Sequence, residues 1–559
     1  MPDTDHPLTD QEPDSIRARP PRRVTRMRRI AVIAAIAVVA LVAVLLTVSL
    51  NANKAGTAQA PVQDTPVKPA PTGKAPAVTY YKQIPPPSGS PLENVDPLEL
   101  TVKNEPVGTT LNKGTVGISL EATDLADPAL SATNASMVKL LKDSEDTVLR
   151  FGGNAVDRRF FWTSTGEALP ASYTGDKTRP AKVVTPDDFQ RVAALLEATN
   201  AKISLTVDLG HYSPDRAADM IKYASKIFGP RLLSFTVGNE PNGFAYTKLR
   251  PADYGIEKYV TELKAYADAI YAAAPNVVIS GPGVYDQKWW KPFMDADLPQ
   301  KKVLSFHNYP LYSCTDTTSD GFPTIPNLLG QAIHQRAASY QQHALDAAKS
   351  AGMETWLAET GMSACPGSNQ TTKTHATALW AADYSLNAAR LGITRLGFHS
   401  SMATCKGGPP MSVICSGGAY LEPNGEMVPR ANYFGMAMVA DLAPGKFLNL
   451  DSKGGGSSNT YALQNADGST TVVIVNKNDP AKAAQTEVSL TLPGYALRGT
   501  MTQLSGPRLD AQDSTVIDGA KAGPVPAAKR ATVPGFSYGS QTQKFKLTAG
   551  TVTVLNFSY

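Results

Sequence analysis

The sequence predicts an α/β protein: a (β/α)8 TIM barrel with a C-terminal antiparallel β-sandwich, preceded by one transmembrane helix. Three observations predict this fold class. An uncharged apolar segment occupies 30–50, eight short apolar runs alternate with helical patterns across 111–430, and a period of two dominates 431–559. Because each pattern belongs to a different structural class, the three patterns also divide the chain of 559 residues into domains.

The N-terminus combines a basic arm with an apolar segment. Seven arginines lie within 1–29, and the segment 30–50 contains no charged residue, proline or glycine. As a helix rising ~1.5 Å per residue, this segment spans the hydrocarbon core of a bilayer. The positive-inside rule then predicts a single-pass cell-membrane protein with a cytoplasmic arm and an extracytoplasmic remainder. A cleaved signal peptide is the alternative, but the apolar stretch is long and Ala58-Gln59-Ala60, the candidate cleavage pattern, lies far from it.

The segment 51–95 is rich in proline, alanine and threonine and contains few large apolar residues. Such a composition forms no core, so we expect an extended linker between the membrane and the folded part.

Eight apolar runs indicate the barrel in 111–430. They are VGISLE (116–121), TVLRFGG (147–153), KISLTVDLG (202–210), LSFTVGNE (233–240), NVVISGPG (276–283), KVLSFHNYP (302–310), TWLAETG (355–361) and TRLGFHS (394–400). Most of them are continuously hydrophobic, as strands buried on both faces are, and amphipathic helical patterns separate them. A doubly wound open sheet is the alternative, but no glycine-rich phosphate-binding fingerprint follows the first run.

The region 431–559 alternates polar and apolar residues between turn residues, which indicates an antiparallel sandwich. LELTVKN (98–104) has the same pattern, so we predict that a strand in 96–110 joins this sandwich and that the accessory domain brackets the barrel.

Four cysteines, all in the predicted exported part, suggest two disulfides. Cys405 and Cys415 are close enough in sequence to close one loop, which leaves Cys314 for Cys365. Zinc ligation is the alternative, although no CxxC or HxxxH pattern accompanies them. We expect neither a metal nor another cofactor. The net charge of +4 owes much to the N-terminal arm, so nothing predicts a nucleic-acid partner.

Polar residues close several of the predicted strands. In a (β/α)8 barrel the carboxyl ends of the strands form the site. Glu240 ends the fourth run after Asn239, Glu359 ends the seventh, and Glu121 ends the first. Since the fourth and seventh strands lie three apart, Glu240 and Glu359 can face each other across the mouth. A carboxyl pair about 5–5.5 Å apart performs retaining glycoside hydrolysis, and a wider gap suits inversion.

These motifs resemble those of clan A retaining glycosidases and, more narrowly, glycoside hydrolase family 79. LRFGGN (149–154), TVGNEPN (236–242), FHNYP (306–310) and LAETG (357–361) carry the resemblance, together with GISLEATDLADP (117–128) and GGAY (417–420). The family includes heparanase and β-glucuronidases, and the resemblance extends over about 97–559.

The resemblance implies roles for individual residues. Glu240 would be the acid/base and Glu359 the nucleophile, with Tyr309 beside Glu359 and Asn239 on the sugar 2-hydroxyl. Glu121 is a candidate for a further sugar hydroxyl. Gly418 and Tyr420 would contact the carboxylate of a uronic acid. The implied protein is a membrane-anchored β-glucuronidase that acts by double displacement on uronate-containing glycans. A neutral-sugar β-glycosidase of the same clan and a catalytically silent carbohydrate-binding protein are the alternatives.

Overall fold

The computed structural model describes residues 75–83, 92–366 and 369–559. The predicted membrane helix, 30–50, lies outside the described residues, as does most of the predicted linker. Within the described ranges, no helix is both long enough and apolar enough to cross a bilayer.

The strands, in chain order, are β1 (Leu98–Leu111), β2 (Val116–Glu121), β3 (Val148–Gly152), β4 (Phe160–Trp162), β5 (Lys182–Val184), β6 (Lys202–Val207), β7 (Leu232–Val237), β8 (Ile279–Val284), β9 (Lys301–Asn308), β10 (Glu354–Thr360), β11 (Arg395–His399), β12 (Ile414–Ala419), β13 (Glu422–Pro429), β14 (Gly445–Lys453), β15 (Ser458–Asn465), β16 (Thr470–Asn476), β17 (Thr486–Ala496), β18 (Arg498–Ser505), β19 (Val516–Ile517), β20 (Ser540–Leu547) and β21 (Thr551–Ser558). The α-helices are α1 (Ala135–Asp143), α2 (Pro186–Thr199), α3 (Pro214–Phe228), α4 (Ile256–Ala273), α5 (Trp290–Asp295), α6 (Ile325–Leu329), α7 (Gln331–Ser350), α8 (Asn369–Thr372), α9 (Ala376–Leu391) and α10 (Ala431–Ala440).

Eight parallel strands close into a barrel in the order β2-β3-β6-β7-β8-β9-β10-β11. The predicted (β/α)8 barrel is therefore confirmed, and each strand lies within a predicted apolar run or differs from it by one residue at an end. Continuous hydrophobicity was the correct signal, because every residue of β3 and of β8 is buried.

The helices cover the barrel through the apolar faces that their sequences predict. In α4 an apolar stripe at helical spacing places Tyr259, Leu263 and Ile270 in the core. Gly392 is the C-cap of α9 and has φ 122°, a conformation that favours glycine.

The accessory domain is one curled sheet of nine strands in the order β19-β18-β21-β16-β15-β14-β1-β17-β20. Strand β1, N-terminal to the barrel, pairs antiparallel with β14 and parallel with β17. The parallel pair departs from the predicted all-antiparallel arrangement. Alternation along a strand determines which face each side chain occupies, but not the direction of the neighbouring strand.

The accessory sheet packs against the barrel through α9 and α10. Helix α10 starts beyond position 430, where the sequence divides the two domains. Its side chains belong to a hydrophobic core that the barrel shares with one face of the accessory sheet. At this junction Asp383 of α9 is buried and accepts hydrogen bonds from Tyr461 at 2.6 Å and Asn459 at 2.8 Å, both on β15.

His375, which precedes α9, anchors the same junction. The ring is fully buried, its Nε2 lies 2.8 Å from the carbonyl oxygen of Gly550, and its Nδ1 lies 3.0 Å from Thr515 Oγ1. Since the carbonyl can only accept, Nε2 carries the proton of a neutral ring. Burial lowers the pKa of His375 to about 4.

Candidate active site

The carboxyl ends of the barrel strands bring Glu121, Asn239, Glu240, Tyr309 and Glu359 together at one mouth. Glu359 is the penultimate residue of β10, Tyr309 follows β9, and Glu240 lies three residues beyond the end of β7. Tyr309 contacts Glu359 directly. The other three side chains connect to Glu359 through one shared neighbour each, which is Arg150, His307 or His399. The catalytic face of the barrel therefore carries a connected polar network.

Glu359 is the most enclosed acid of this network, since its side chain is 8% exposed. Arg150 Nη1 donates to its Oε2 at 2.6 Å, and the Tyr309 hydroxyl donates to its Oε1 at 2.9 Å. Burial by itself raises the pKa of Glu359. The neighbouring His307, His399 and Arg150, together with the hydrogen bond from Tyr309, nevertheless hold that pKa well below its ordinary range. The Glu359 carboxylate is therefore ionised.

Arg150 on β3 is a central residue that the sequence analysis did not assign. Its guanidinium is buried and also donates to Asn239 Oδ1 at 2.6 Å and to Ser119 Oγ at 3.0 Å. The signal was present in the sequence, because an arginine inside a strand that is buried on both faces must have a partner.

Asn239 is held in one orientation by two donors. Arg150 and the backbone N–H of Gly153 both donate to its Oδ1, the latter at 3.1 Å. The amide nitrogen Nδ2 of Asn239 therefore faces away from these two donors. This atom is buried and has no hydrogen-bond partner among the described residues. Asp157 supports this arrangement, because its Oδ2 accepts the backbone N–H of Asn239 at 2.8 Å.

Glu240 occupies the rim and is more open than Glu359. Its side chain is 21% exposed, and its Oε1 lies 2.8 Å from His307 Nδ1. Its backbone has φ 51°, which turns the chain sharply after β7. This turn leaves Glu240 close to both solvent and the second carboxylate.

The two carboxylates and His307 lie close together: one ligand atom from each of Glu240, His307 and Glu359 lies within 4.8 Å of the others. Such a set can hold a cation in principle. However, Glu359 Oε2 already accepts from Arg150, whose fixed positive charge opposes a second cation beside it. The set is better suited to proton transfer than to metal binding.

Glu121 lies at the edge of this network. Its Oε2 accepts the backbone N–H of Ala155 at 2.7 Å, and its Oε1 lies 3.8 Å from His399 Nε2. His399 Nδ1 in turn lies 3.7 Å from Glu359 Oε1. A Cβ atom on Gly153 would lie 2.6 Å from the Glu121 carboxylate, and the φ of 66° at this position also favours glycine.

Gly418 and Tyr420 lie outside the hydrogen-bonded network, on the β12–β13 hairpin that follows the last barrel strand. This places them at the same end of the barrel as the glutamates. Gly418 has φ 117°, and Tyr420 is 69% exposed, with its ring against Gly407.

Both predicted disulfides are present. Cys314–Cys365 links the loops after β9 and β10, and Cys405–Cys415 closes the loop before the hairpin. Both bridges therefore brace loops on the face that carries the carboxylates.

The comparison with protein families supports the resemblance found in the sequence. Residues 191–385 match the family model "Glycosyl hydrolase family 79, N-terminal domain". This range contains both glutamates, and the match confirms the resemblance to family 79. The barrel is accordingly a glycoside hydrolase domain. No curated protein sequence matches the chain.

Solved structures share the fold over most of the chain. A 4-O-α-L-rhamnosyl-β-D-glucuronidase from Fusarium oxysporum 12S is 16% identical, covers 82% of this chain and 100% of its own, and has a TM-score of 0.62. A family 51 arabinofuranosidase from Xanthomonas axonopodis pv. citri is 14% identical over 83% of this chain and 100% of its own, with a TM-score of 0.58. A family 44 xyloglucanase from Paenibacillus polymyxa is 9% identical over 84% of this chain and 100% of its own, with a TM-score of 0.54. At these identities the likeness shows the fold alone.

Proposed function

We propose that this member of glycosyl hydrolase family 79 is a retaining β-glucuronidase that acts on uronate-containing glycans. We further propose that the N-terminal segment anchors it in the cell membrane, with the barrel outside the cytoplasm. The anchor rests on the sequence of 1–50: the arginine cluster and the uncharged apolar segment after it.

The separation of Glu240 and Glu359 is the observation that carries the retaining mechanism. Their nearest oxygen atoms lie within 4.8 Å of each other. Retaining enzymes hold their carboxyl groups about 5–5.5 Å apart, whereas inverting enzymes keep ~6.5–9.5 Å to accommodate a water molecule between acid and base. The short gap favours direct attack on the sugar by one carboxylate.

The environments of the two acids support different roles for them. Glu359, ionised and held from both sides by Arg150 and Tyr309, attacks the anomeric carbon while Glu240 gives its proton to the leaving oxygen. The C–O bond to the leaving group breaks, and a glycosyl ester forms on Glu359. Glu240, now ionised, takes a proton from water. The resulting hydroxide equivalent attacks the anomeric carbon and releases Glu359.

Asn239 is suited to stabilise both transition states. Its Nδ2 is a buried donor without a partner among the described residues, beside the two carboxylates. A sugar 2-hydroxyl would satisfy this donor, and such a hydrogen bond strengthens as charge develops on the ring.

Uronate specificity is supported by the GGAY segment at 417–420 and by the glucuronidase with which the chain shares its fold. The backbone of Gly418 and the phenol of Tyr420 provide the donors that a sugar carboxylate accepts. Tyr420 is largely exposed, so its phenol is open to a ligand.

The test compares four 4-nitrophenyl β-glycosides, namely the glucuronide, glucoside, galactoside and xyloside, on the full-length chain. Glu359→Gln removes the nucleophile, and Glu354→Gln, at the opposite end of the same strand, is the matched control. We expect release from the glucuronide alone, lost in Glu359→Gln and kept in Glu354→Gln. Release from a neutral sugar instead would refute uronate specificity but keep the mechanism. Equal loss in both variants would refute the assignment of the nucleophile.

A further inference from the structure

The exposed tyrosines are concentrated on the catalytic face. Among the described residues, six tyrosines are 47–90% exposed, whereas no tryptophan or phenylalanine is exposed. Five of the six lie in loops that follow barrel strands: Tyr212, Tyr246, Tyr285, Tyr312 and Tyr420. Scattered surface aromatics require no explanation, but a set gathered around one barrel mouth does.

Two of these tyrosines are tied to the acid/base, Glu240. The backbone N–H of Gly243 donates to the Glu240 carbonyl at 2.9 Å, and that of Thr247 donates to the Gly243 carbonyl at 2.9 Å. These turns order the short segment that leads from Glu240 to Tyr246, which is 90% exposed. Arg158 also donates to Thr247 Oγ1 at 2.9 Å, which fixes the far end of the segment.

Tyr285 reaches the same segment from the neighbouring strand. It directly follows β8, and the backbone N–H of Glu240 donates to the Gly283 carbonyl at 3.0 Å, which joins the two strand ends. A Cβ atom on Gly243 would lie 3.8 Å from the Tyr285 hydroxyl. Burial raises the pKa of Tyr285, and the charges of Glu240 and Asp286 and the Tyr246 phenol raise it further, whereas a hydrogen bond with Asn242 lowers it.

The location beside Glu240 decides what such a surface would bind. The acid/base must contact the leaving oxygen, so the groups around it face the leaving group and not the sugar that is attacked. One ring is half exposed and the other almost fully exposed, so both offer aromatic surface to a ligand. Aromatic faces complement the C–H-bearing faces of a pyranose, and phenol hydroxyls bind its hydroxyl groups.

We propose that Tyr246 and Tyr285 form a leaving-group subsite that binds a pyranose ring, so that the substrates are glycans in which the released sugar is linked to another sugar. This proposal rests on the proposed function, because it uses Glu240 as the acid/base. It adds that the energy of binding a second sugar is used to reach the transition state.

The test compares two substrates of the full-length chain that differ only in the leaving group. One is β-glucuronosyl fluoride, which places no ring in the subsite, and the other is a disaccharide in which β-glucuronic acid is linked to glucose. In Tyr246→Ala we expect the ratio of kcat/KM for the disaccharide to that for the fluoride to fall by about tenfold or more. Tyr285→Ala should lower the same ratio, and Tyr246→Phe, which keeps the ring, should restore most of it.

Tyr80→Ala is the matched control, because Tyr80 is 47% exposed and lies away from the barrel strand ends. Its ratio should equal that of the unmodified enzyme. Unchanged ratios in both alanine variants, or hydrolysis of the fluoride without any hydrolysis of the disaccharide, would overturn the subsite and leave the proposed function standing. Failure of the unmodified enzyme to hydrolyse either substrate would instead refute the proposed function, and the subsite with it.

Discussion

Replacing Arg150 by methionine tests whether the buried guanidinium prepares Glu359, the proposed nucleophile. Methionine fills similar space without charge or donors. The change removes the hydrogen bonds from Arg150 to Glu359 and to Asn239, both at 2.6 Å. It also leaves the carboxylate of Glu359 buried with the Tyr309 hydroxyl as its remaining hydrogen-bond donor among the described residues.

The size of the effect follows from these two contacts. A hydrogen bond to a charged group contributes about 1.5–3 kcal/mol, so the loss of two raises the activation free energy by about 3–6 kcal/mol. Since each 1.36 kcal/mol is tenfold, kcat/KM should fall by about 10²–10⁴-fold. Folding stability should fall by about 3–5 kcal/mol, because one member of a buried ion pair is removed.

The pH profile separates a catalytic from a structural effect. Arg150 is one of the charges that hold the pKa of Glu359 low. Without it that pKa rises, so the acid limb of kcat/KM should move to higher pH. Arg150→Lys keeps a charge and should recover part of both effects.

Arg395→Met is the control for this experiment, because Arg395 is an arginine at the opposite end of the barrel, where it donates to the Gly114 carbonyl at 3.1 Å. It should lower the midpoint of thermal unfolding without moving the acid limb. If Arg150→Met left the acid limb where it is, or if both variants lowered kcat/KM equally, the guanidinium would have no role beyond folding.

Three further predictions address the acid/base, the disulfides and acid stability. Glu240→Ala should slow turnover most for substrates with poor leaving groups, and azide should restore deglycosylation with activated substrates. Uniform slowing without rescue by azide would argue against Glu240 as the acid/base. Cys314→Ser removes a disulfide that spans 51 residues, and Cys405→Ser removes one that spans 10. The chain-entropy model predicts that the free energy of unfolding, measured in urea, falls by about 4 kcal/mol in the first variant and by about 3 kcal/mol in the second. A larger loss in Cys405→Ser would contradict the entropic explanation. Folding lowers the pKa of His375 from 6.5 to about 4, so between these pH values the unfolded chain binds a proton that the folded chain does not. The free energy of unfolding should therefore decrease by about 3 kcal/mol as the pH falls from about 6.5 to about 4. His375→Asn should flatten this dependence and His343→Asn, at an exposed position, should not.

The barrel could be predicted from the sequence because its signal is local and strong. Each strand is a short apolar run between helical patterns, and LSFTVGNE (233–240) contains five of the six residues of β7 (Leu232–Val237). The pairing of β1 with β17 could not be predicted, since alternation identifies the buried face but neither the partner strand nor its direction.

The site also combines residues that a local sequence signal identifies with a contact that depends on distant segments. Glu240 and Glu359 could be identified because topology alone brings the carboxyl ends of parallel strands to one face. Arg150 lies within β3, where its reach across the barrel to Glu359 depends on a long side chain and on the small Ser119 beside it. A charged residue in a fully buried strand indicates that a partner exists, but the partner is 209 residues away and only the closed barrel identifies it.

The depth of each glutamate gives an independent argument for the roles. Glu359 belongs to β10 itself and is 8% exposed, whereas Glu240 lies beyond the end of β7 and is 21% exposed. A nucleophile must stay ionised and in place, and an acid/base must exchange a proton with water in every cycle. If the roles were reversed, the leaving group would depend on a proton from Glu359, whose low pKa leaves it ionised at neutral pH. The geometry therefore favours the proposed assignment, with the nucleophile inside the barrel and the acid at its rim.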